Sequence, residues 1–181
     1  MKRILIDPGH GGNDPGAVGN GLEEKDLAFK YSLTLKYLLE KLGYYVSLTR
    51  WGDTNPSLEK RGQSAVGYDA FISLHFNAGQ PTAKGMEVWY HDTKGQQLAK
   101  YVEAEMKKVA TTWRGSKKDT AMYKTGFAVL RVAASKGVPA ILLEIEFITN
   151  KVILNLISDD NRINLMTALA NGIDQFLKGG K

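Results

Sequence analysis

Ala140-Ile141-Leu142-Leu143 runs apolar without a break and stops at Glu144. Four residues are too few for a helix, and no polar residue alternates among them. The run therefore reads as a strand buried on both faces, at the centre of a sheet. Such a strand needs a layer above it and another below. The rest of the chain supplies them, because strand and helix signals alternate along it. Ile4-Leu5-Ile6 is a second short buried strand, followed by a glycine-rich loop over residues 8–21. Leu27, Tyr31, Leu35, Leu38, Leu39 and Leu42 fall at helical spacing over 26–42, and Gly43 supplies a stop. Residues 45–48 read as a strand, and Pro56-Ser57-Leu58 opens a helix to about Val66, capped by Ser57 or Asn55. Strands follow at 69–74 and 86–90, then a helix from Gln96 to about Thr112. The polar, basic stretch 113–125 reads as an exposed loop, and 127–131 as a further strand. A helix from Asp159 or Asn161 to Leu177 closes the chain.

The expected fold is α/β: one three-layer domain over residues 1–177, with a mostly parallel central sheet of about six strands flanked by helices. Residues 178–181, Lys-Gly-Gly-Lys, have a linker's composition.

None of the 181 residues is cysteine, which removes disulfides, thiolate metal sites, iron–sulfur clusters and cysteine nucleophiles. A formal net charge of +5 favours anionic surroundings without choosing among nucleic acid, a membrane face and an acidic polymer. No stretch approaches the roughly 18 apolar residues of a membrane span. The first apolar run ends after three residues at Asp7, short of the ~7–15 of a secretory signal. The chain is accordingly expected to be cytoplasmic, or else a mature or truncated piece of an exported protein.

Common nucleotide and hydrolase motifs fail on single residues. Gly9-His10-Gly11-Gly12-Asn13-Asp14 follows a strand as a dinucleotide loop would, but Asp14 stands where the third glycine is required. Gly16 and Gly21 have Walker spacing, yet Leu22-Glu23 replace the needed Lys-Ser/Thr. Gly62-Gln63-Ser64-Ala65-Val66 lacks the closing glycine of a nucleophile elbow, and no His-Glu-x-x-His occurs.

What remains is a set of His and Glu residues at strand ends. His10 follows the first strand, His75 follows the run 71–74, and Glu144 ends the central strand. Glu23 and Glu24 lie between the glycine loop and the first helix. In open α/β sheets, ligands bind at the carboxyl ends of the strands. Two imidazoles and one carboxylate with an open fourth position make up a hydrolytic zinc site, and a separate carboxylate would serve as base for its water. Hydrogen-bonding strand-end histidines and solvated glutamates are the competing reading.

The same segments carry a resemblance. Asp7-Pro8-Gly9-His10-Gly11-Gly12-Asn13-Asp14-Pro15-Gly16-Ala17 resembles the opening motif of the zinc-dependent N-acetylmuramoyl-L-alanine amidases, the amidase-3 family of cell-wall hydrolases. Glu24-Lys25-Asp26-Leu27 is similar to that family's second motif, and Ser73-Leu74-His75-Phe76-Asn77-Ala78 to its Ser-x-His-x-Asn-Ala motif. Gly85-Met86-Glu87-Val88, Pro139 to Glu144 and Phe147-Ile148-Thr149-Asn150 match later family segments. The resemblance runs in order from about residue 3 to 177.

It implies one zinc ion held by His10, Glu24 and His75, with Glu144 as catalytic base. Glu23 competes with Glu24, but the family places its ligand directly before Lys-Asp. It further implies cleavage of the amide between N-acetylmuramic acid and L-alanine of the stem peptide, with bacterial peptidoglycan as partner. No nucleic-acid partner and no membrane insertion are expected, and the chain is expected to be a monomer. The charge of +5 would suit anionic wall polymers, or simply solubility. Without a signal peptide, the chain is expected to be a phage endolysin that reaches the wall through a membrane lesion, or the excised domain of an exported amidase. Asn77 is expected to orient His75 or line the cleft, and Arg131 to contact a substrate carboxylate. Arg61 is expected to form a structural ion pair, and His91 to lie at the surface. One position departs from the family: Glu146 stands where it usually has glycine. If the strand continues, Glu146 shares a side with Glu144 and lines the cleft. Two rivals keep the fold: a zinc peptidase cutting within the stem peptide, and a non-catalytic wall-binding protein.

Overall fold

The apolar run 140–143 opens β8 (Ala140–Phe147), which lies inside a six-stranded sheet of order β4-β1-β5-β8-β6-β7. The structure, a computed structural model, describes residues 1–179; Gly180 and Lys181 of the linker-like tail lie outside the described residues. The other strands of the sheet are β1 (Arg3–Pro8), β4 (Tyr45–Leu48), β5 (Ala70–Asn77), β6 (Met86–Tyr90) and β7 (Trp113–Lys118). A small hairpin, β2 (Val18–Gly19) with β3 (Leu22–Glu23), stands apart from it. The helices are α1 (Glu24–Lys41), α2 (Leu58–Gln63), α3 (Thr93–Met106), α4 (Ala128–Ser135), α5 (Ile153–Leu156) and α6 (Asp159–Leu177). All strand pairs of the sheet are parallel except β6–β8, so the sheet is mostly parallel, as expected.

Period-two alternation divides the sheet into two faces. Ile4, Ile6, Ile72, Leu74, Ile141 and Leu143 point to the larger core, under α1, α3 and α6. Leu5, Phe71, Trp89 and Leu142 point to the smaller core, under α2 and α4. Each fully buried aliphatic side chain contributes roughly 1.5–3 kcal/mol relative to an exposed one. Counting on from Leu5, Phe71 and Leu142 in steps of two places Asp7, then Ser73, His75 and Asn77, then Glu144, on the α2/α4 side. The polar strand ends thus gather where that smaller helix layer stops.

Three elements differ from the sequence expectation. Residues 127–131 are not a strand: α4 occupies Ala128–Ser135 and buries Val129, Leu130 and Ala133. The apolar run continues through Val132-Ala133-Ala134, and only one side of it is covered, which is helical spacing. The sixth strand is instead β7, inside the stretch read as a loop. It is a sheet edge paired only with β6, and edge strands carry polar and cationic residues such as Arg114, Lys117 and Lys118. α3 starts earlier than 96, because Asp92 caps it by accepting from the Gly95 amide at 2.8 Å, and it stops at Met106. At α2 the cap is Ser57, whose hydroxyl accepts from the Lys60 amide.

Candidate metal centre and catalytic cleft

Beyond β1 the chain turns away through a loop whose backbone few side chains tolerate. His10 has φ 56°, left-handed for a residue with a Cβ, and Gly11, Gly12 and Gly16 are also at positive φ. Two buried arginines hold this shape by taking the loop's carbonyls. Arg61 donates from Nη1 to Pro8 O (2.6 Å) and from Nη2 to His10 O (2.6 Å). Arg50 donates to Pro8 O (3.1 Å), Gly9 O (3.0 Å) and Lys25 O (2.8 Å). Arg61 also meets Asp7 at 2.9 Å, an ion pair in which both side chains are almost wholly buried. Asp7 accepts in addition from Thr49 and Ser73. Arg61 is thus the ion-pairing residue expected from its position, and it is a scaffold for the loop as well.

The loop presents His10 to Glu24 and His75. Glu24 is the first residue of α1 and is buried, its backbone amide bonded to Ala17 O. Its two oxygens divide between the imidazoles: Oε2 lies 3.1 Å from His10 Nε2, and Oε1 lies 2.9 Å from His75 Nδ1. Oε2 also accepts from the Ala17 amide and Oε1 from the Phe76 amide. Glu23 points outward toward Lys25 and takes no part. One donor atom from each of His10, Glu24 and His75 lies within 4.8 Å of the others, a possible metal site. Crowding keeps the cluster in place. A Cβ at Gly9 would stand 2.4 Å from His75 Cε1, and one at Gly16 would stand 2.6 Å from His10 Cδ2.

The donor chemistry fits a small dication. His10 Nδ1 donates to Asp14 Oδ2 at 2.9 Å, which turns Nε2 toward the cluster, the carboxylate–histidine arrangement typical of metal ligands. Electrostatics point the same way. Burial alone would lower the His10 pKa, but hydrogen bonds and charges from Glu24 and Asp14 outweigh it and raise it to about 9. His75 is also raised, by Glu24 against its burial. Glu24 is held well below the usual carboxylate range by the two imidazoles, although burial opposes this. The cluster therefore favours positive charge at its centre.

Glu144 faces His75 across the parallel β5–β8 pair. Its Oε2 is buried with no hydrogen-bond partner. Burial pushes its carboxyl up to about 7, with neighbouring Glu24 and Glu87 adding to the effect and His75 opposing it. All four residues line one cavity of about 600 Å³, together with Asn77. The Asn77 amide is fixed by donating to Glu87 at 3.1 Å. Glu87 is buried and also accepts from Arg114 and Lys117.

Two candidates lie elsewhere. Arg131 is exposed on α4 and does not line the cavity, because the segment is a helix and not a strand. Glu146 is wholly buried and also off the cavity. His75 pairs with Glu144 and Asn77 with Phe147, so β8 holds one extra residue there, a bulge that ends the simple alternation. The Glu146 carboxylate accepts from the Gly85 and Phe147 amides instead. His91 is half-buried, its Nδ1 donating to the buried Asp119. Sequence reading missed Asp14, Arg50 and Tyr123, the last of which also lines the cavity. An aspartate four residues after a loop histidine was the available signal for Asp14. Arg50 had none, since its carbonyl partners include residues 41 and 42 positions away.

A model of the N-acetylmuramoyl-L-alanine amidase family matches residues 4–175. A probable cell wall amidase, LytH, of Staphylococcus aureus is 38% identical over 179 residues, covering 95% of this chain and 57% of that protein. The chain thus spans little more than half the length of the curated relatives it matches. An N-acetylmuramoyl-L-alanine amidase from Clostridium difficile 630 superimposes with a TM-score of 0.89 at 30% identity, covering 99% of this chain and 98% of the other. One from Nostoc punctiforme gives 0.87 at 33%, covering 98% and 97%.

Proposed function

The chain belongs to the N-acetylmuramoyl-L-alanine amidase family, and from that premise we propose that it hydrolyses the amide joining N-acetylmuramic acid to L-alanine in bacterial peptidoglycan. We read His10, Glu24 and His75 as the ligands of one zinc ion and Glu144 as the proton-transfer group. The observation that carries this reading is the placement, in one cavity, of a three-donor cluster beside a buried carboxylate with an unpartnered oxygen.

When bound, zinc would lower the pKa of a water toward ~7 and polarise the amide carbonyl. The chain's own residues then divide the work. Asp14 holds His10 in the tautomer that offers Nε2. The Ala17 and Phe76 amides hold both Glu24 oxygens in place. Glu144 takes a proton from the attacking water through its free oxygen and delivers it to the alanine nitrogen, without which the C–N bond does not break. Burial raises its pKa above the usual carboxylate range, which helps the return of the proton to nitrogen. Asn77, held by Glu87, lines the substrate's path. No helix among the described residues is long and apolar enough to cross a membrane; we place the action at the wall, with the protein a monomer.

The test is digestion of purified peptidoglycan with and without a chelator. The expected result is new N-terminal alanine without new reducing ends, abolished by chelation and restored by zinc. Other new N-termini would make the protein a stem-peptide peptidase, and no release from any wall type would make it a binding protein.

A further inference from the structure

The segment between β7 and α4 forms one wall of the cavity, and nothing in the proposed chemistry uses it. It is a built arm. Asp119, wholly buried, accepts from His91 Nδ1 at 3.0 Å and from the Phe127 amide at 2.9 Å. Gly126, at φ +72°, packs so closely on that carboxylate that a Cβ there would lie 2.4 Å from Asp119 Oδ2. The arm carries a file of three rings. Trp89 of β6 is buried, Phe127 is half-buried 5.8 Å from it, and Tyr123 stands 5.2 Å beyond Phe127, each pair edge to face. Tyr123 and Phe127 line the same cavity as His10 and Glu144, yet Tyr123 is 54% exposed. Pro56 and Leu58 also line the cavity, the latter 59% exposed.

An exposed ring fixed on a rigid arm beside the reacting centre offers a flat, sparsely hydrogen-bonding surface. A peptide chain, with an amide at every residue, is poorly served by it. A pyranose ring presents a C–H face of matching size and shape. We propose that Tyr123, backed by Phe127, packs against the sugar ring on the acyl side of the scissile bond, so that the arm reads the N-acetylmuramoyl residue. This rests on the amidase reading above.

The test uses two probes: an N-acetylmuramoyl-L-alanyl peptide, and the same peptide acylated with lactic acid alone. Their Kd values are measured by calorimetry on zinc-loaded Glu144→Gln protein, with and without Tyr123→Ala. The expected result is a rise of about 10-fold in Kd for the sugar-bearing probe and no change for the lactoyl probe, with Tyr123→Phe close to wild type. Equal weakening of both probes, or of neither, would overturn the proposal. Turnover of the sugar-bearing probe by the unmodified protein reports on the amidase reading separately: cleavage with an unresponsive Tyr123→Ala sinks the arm alone, whereas no peptide with a free N-terminal alanine sinks both.

Discussion

The loop after β1 and the arm after β7 are both polar, both turn on glycines, and both wall the same cavity. They are held in opposite ways. The loop is fixed from many directions: Arg50 and Arg61 take its carbonyls, Asp7 anchors Arg61, and the rings of His10 and His75 fill the space that side chains at Gly16 and Gly9 would need. The arm depends chiefly on one buried carboxylate, Asp119. The groups proposed to hold a metal sit on the over-fixed side. The arm, proposed above to meet the sugar, rests on Asp119 and on the packing of Phe127 against Trp89, contacts that involve none of the cluster's residues.

That contrast is open to attack at several points. The largest expected effect belongs to Glu144, the group proposed to transfer the proton. Glu144→Gln should retain zinc and lose about 10³-fold or more in turnover, measured as new N-terminal alanine with metal content checked in parallel. A near-normal rate would remove Glu144 from the mechanism. The pH profile of the unmodified protein should rise from the acid side as Glu144 ionises. Burial puts this limb near pH 7, and a bound dication would move it lower. The limb should vanish in the residual activity of Glu144→Gln.

Next comes the scaffold under the loop. Arg61→Met leaves Asp7 buried without its cation, and the Pro56 and His10 carbonyls without their arginine donor, and should cost about 3–5 kcal/mol in denaturant unfolding. A loss below 1 kcal/mol would show that the loop holds itself. Asp14→Asn should keep the fold and weaken zinc binding about 10–100-fold in a chelator competition. The smallest effect belongs to the arm. Asp119→Asn should lower stability by about 1–3 kcal/mol and raise KM with kcat nearly unchanged. A fall in kcat as large as that of Asp14→Asn would erase the distinction between the two walls.

The same contrast governs what could be read in advance. The β1 loop was legible because its residues break local rules visibly: a histidine amid glycines, polar ends on apolar strands, Glu24 placed at a helix start. In the structure, parity along β1, β5 and β8 puts Asp7, His75 and Glu144 on one face, a step that needs the sheet's pairing. The arm was misread because its signals are tertiary. β7 is a strand through its pairing to β6, and its own residues lack an apolar alternation. Residues 127–131 are apolar enough for a strand, and only the one-sided cover over Val129, Leu130 and Ala133 makes them helical. Glu146 was misplaced by one inserted residue, since parity arguments fail past a bulge. Arg50 lay beyond any local pattern, its role existing only once β4 and β1 lie side by side.

The arginines holding the β1 loop have one more consequence. They bond to backbone oxygens and make no use of the cluster's donor atoms, and Glu24 itself is tied down by two backbone amides. The contacts that shape the loop are therefore independent of the cluster's donor atoms. A chelator is expected to strip a bound metal without melting the protein, as thermal unfolding with and without the chelator would show.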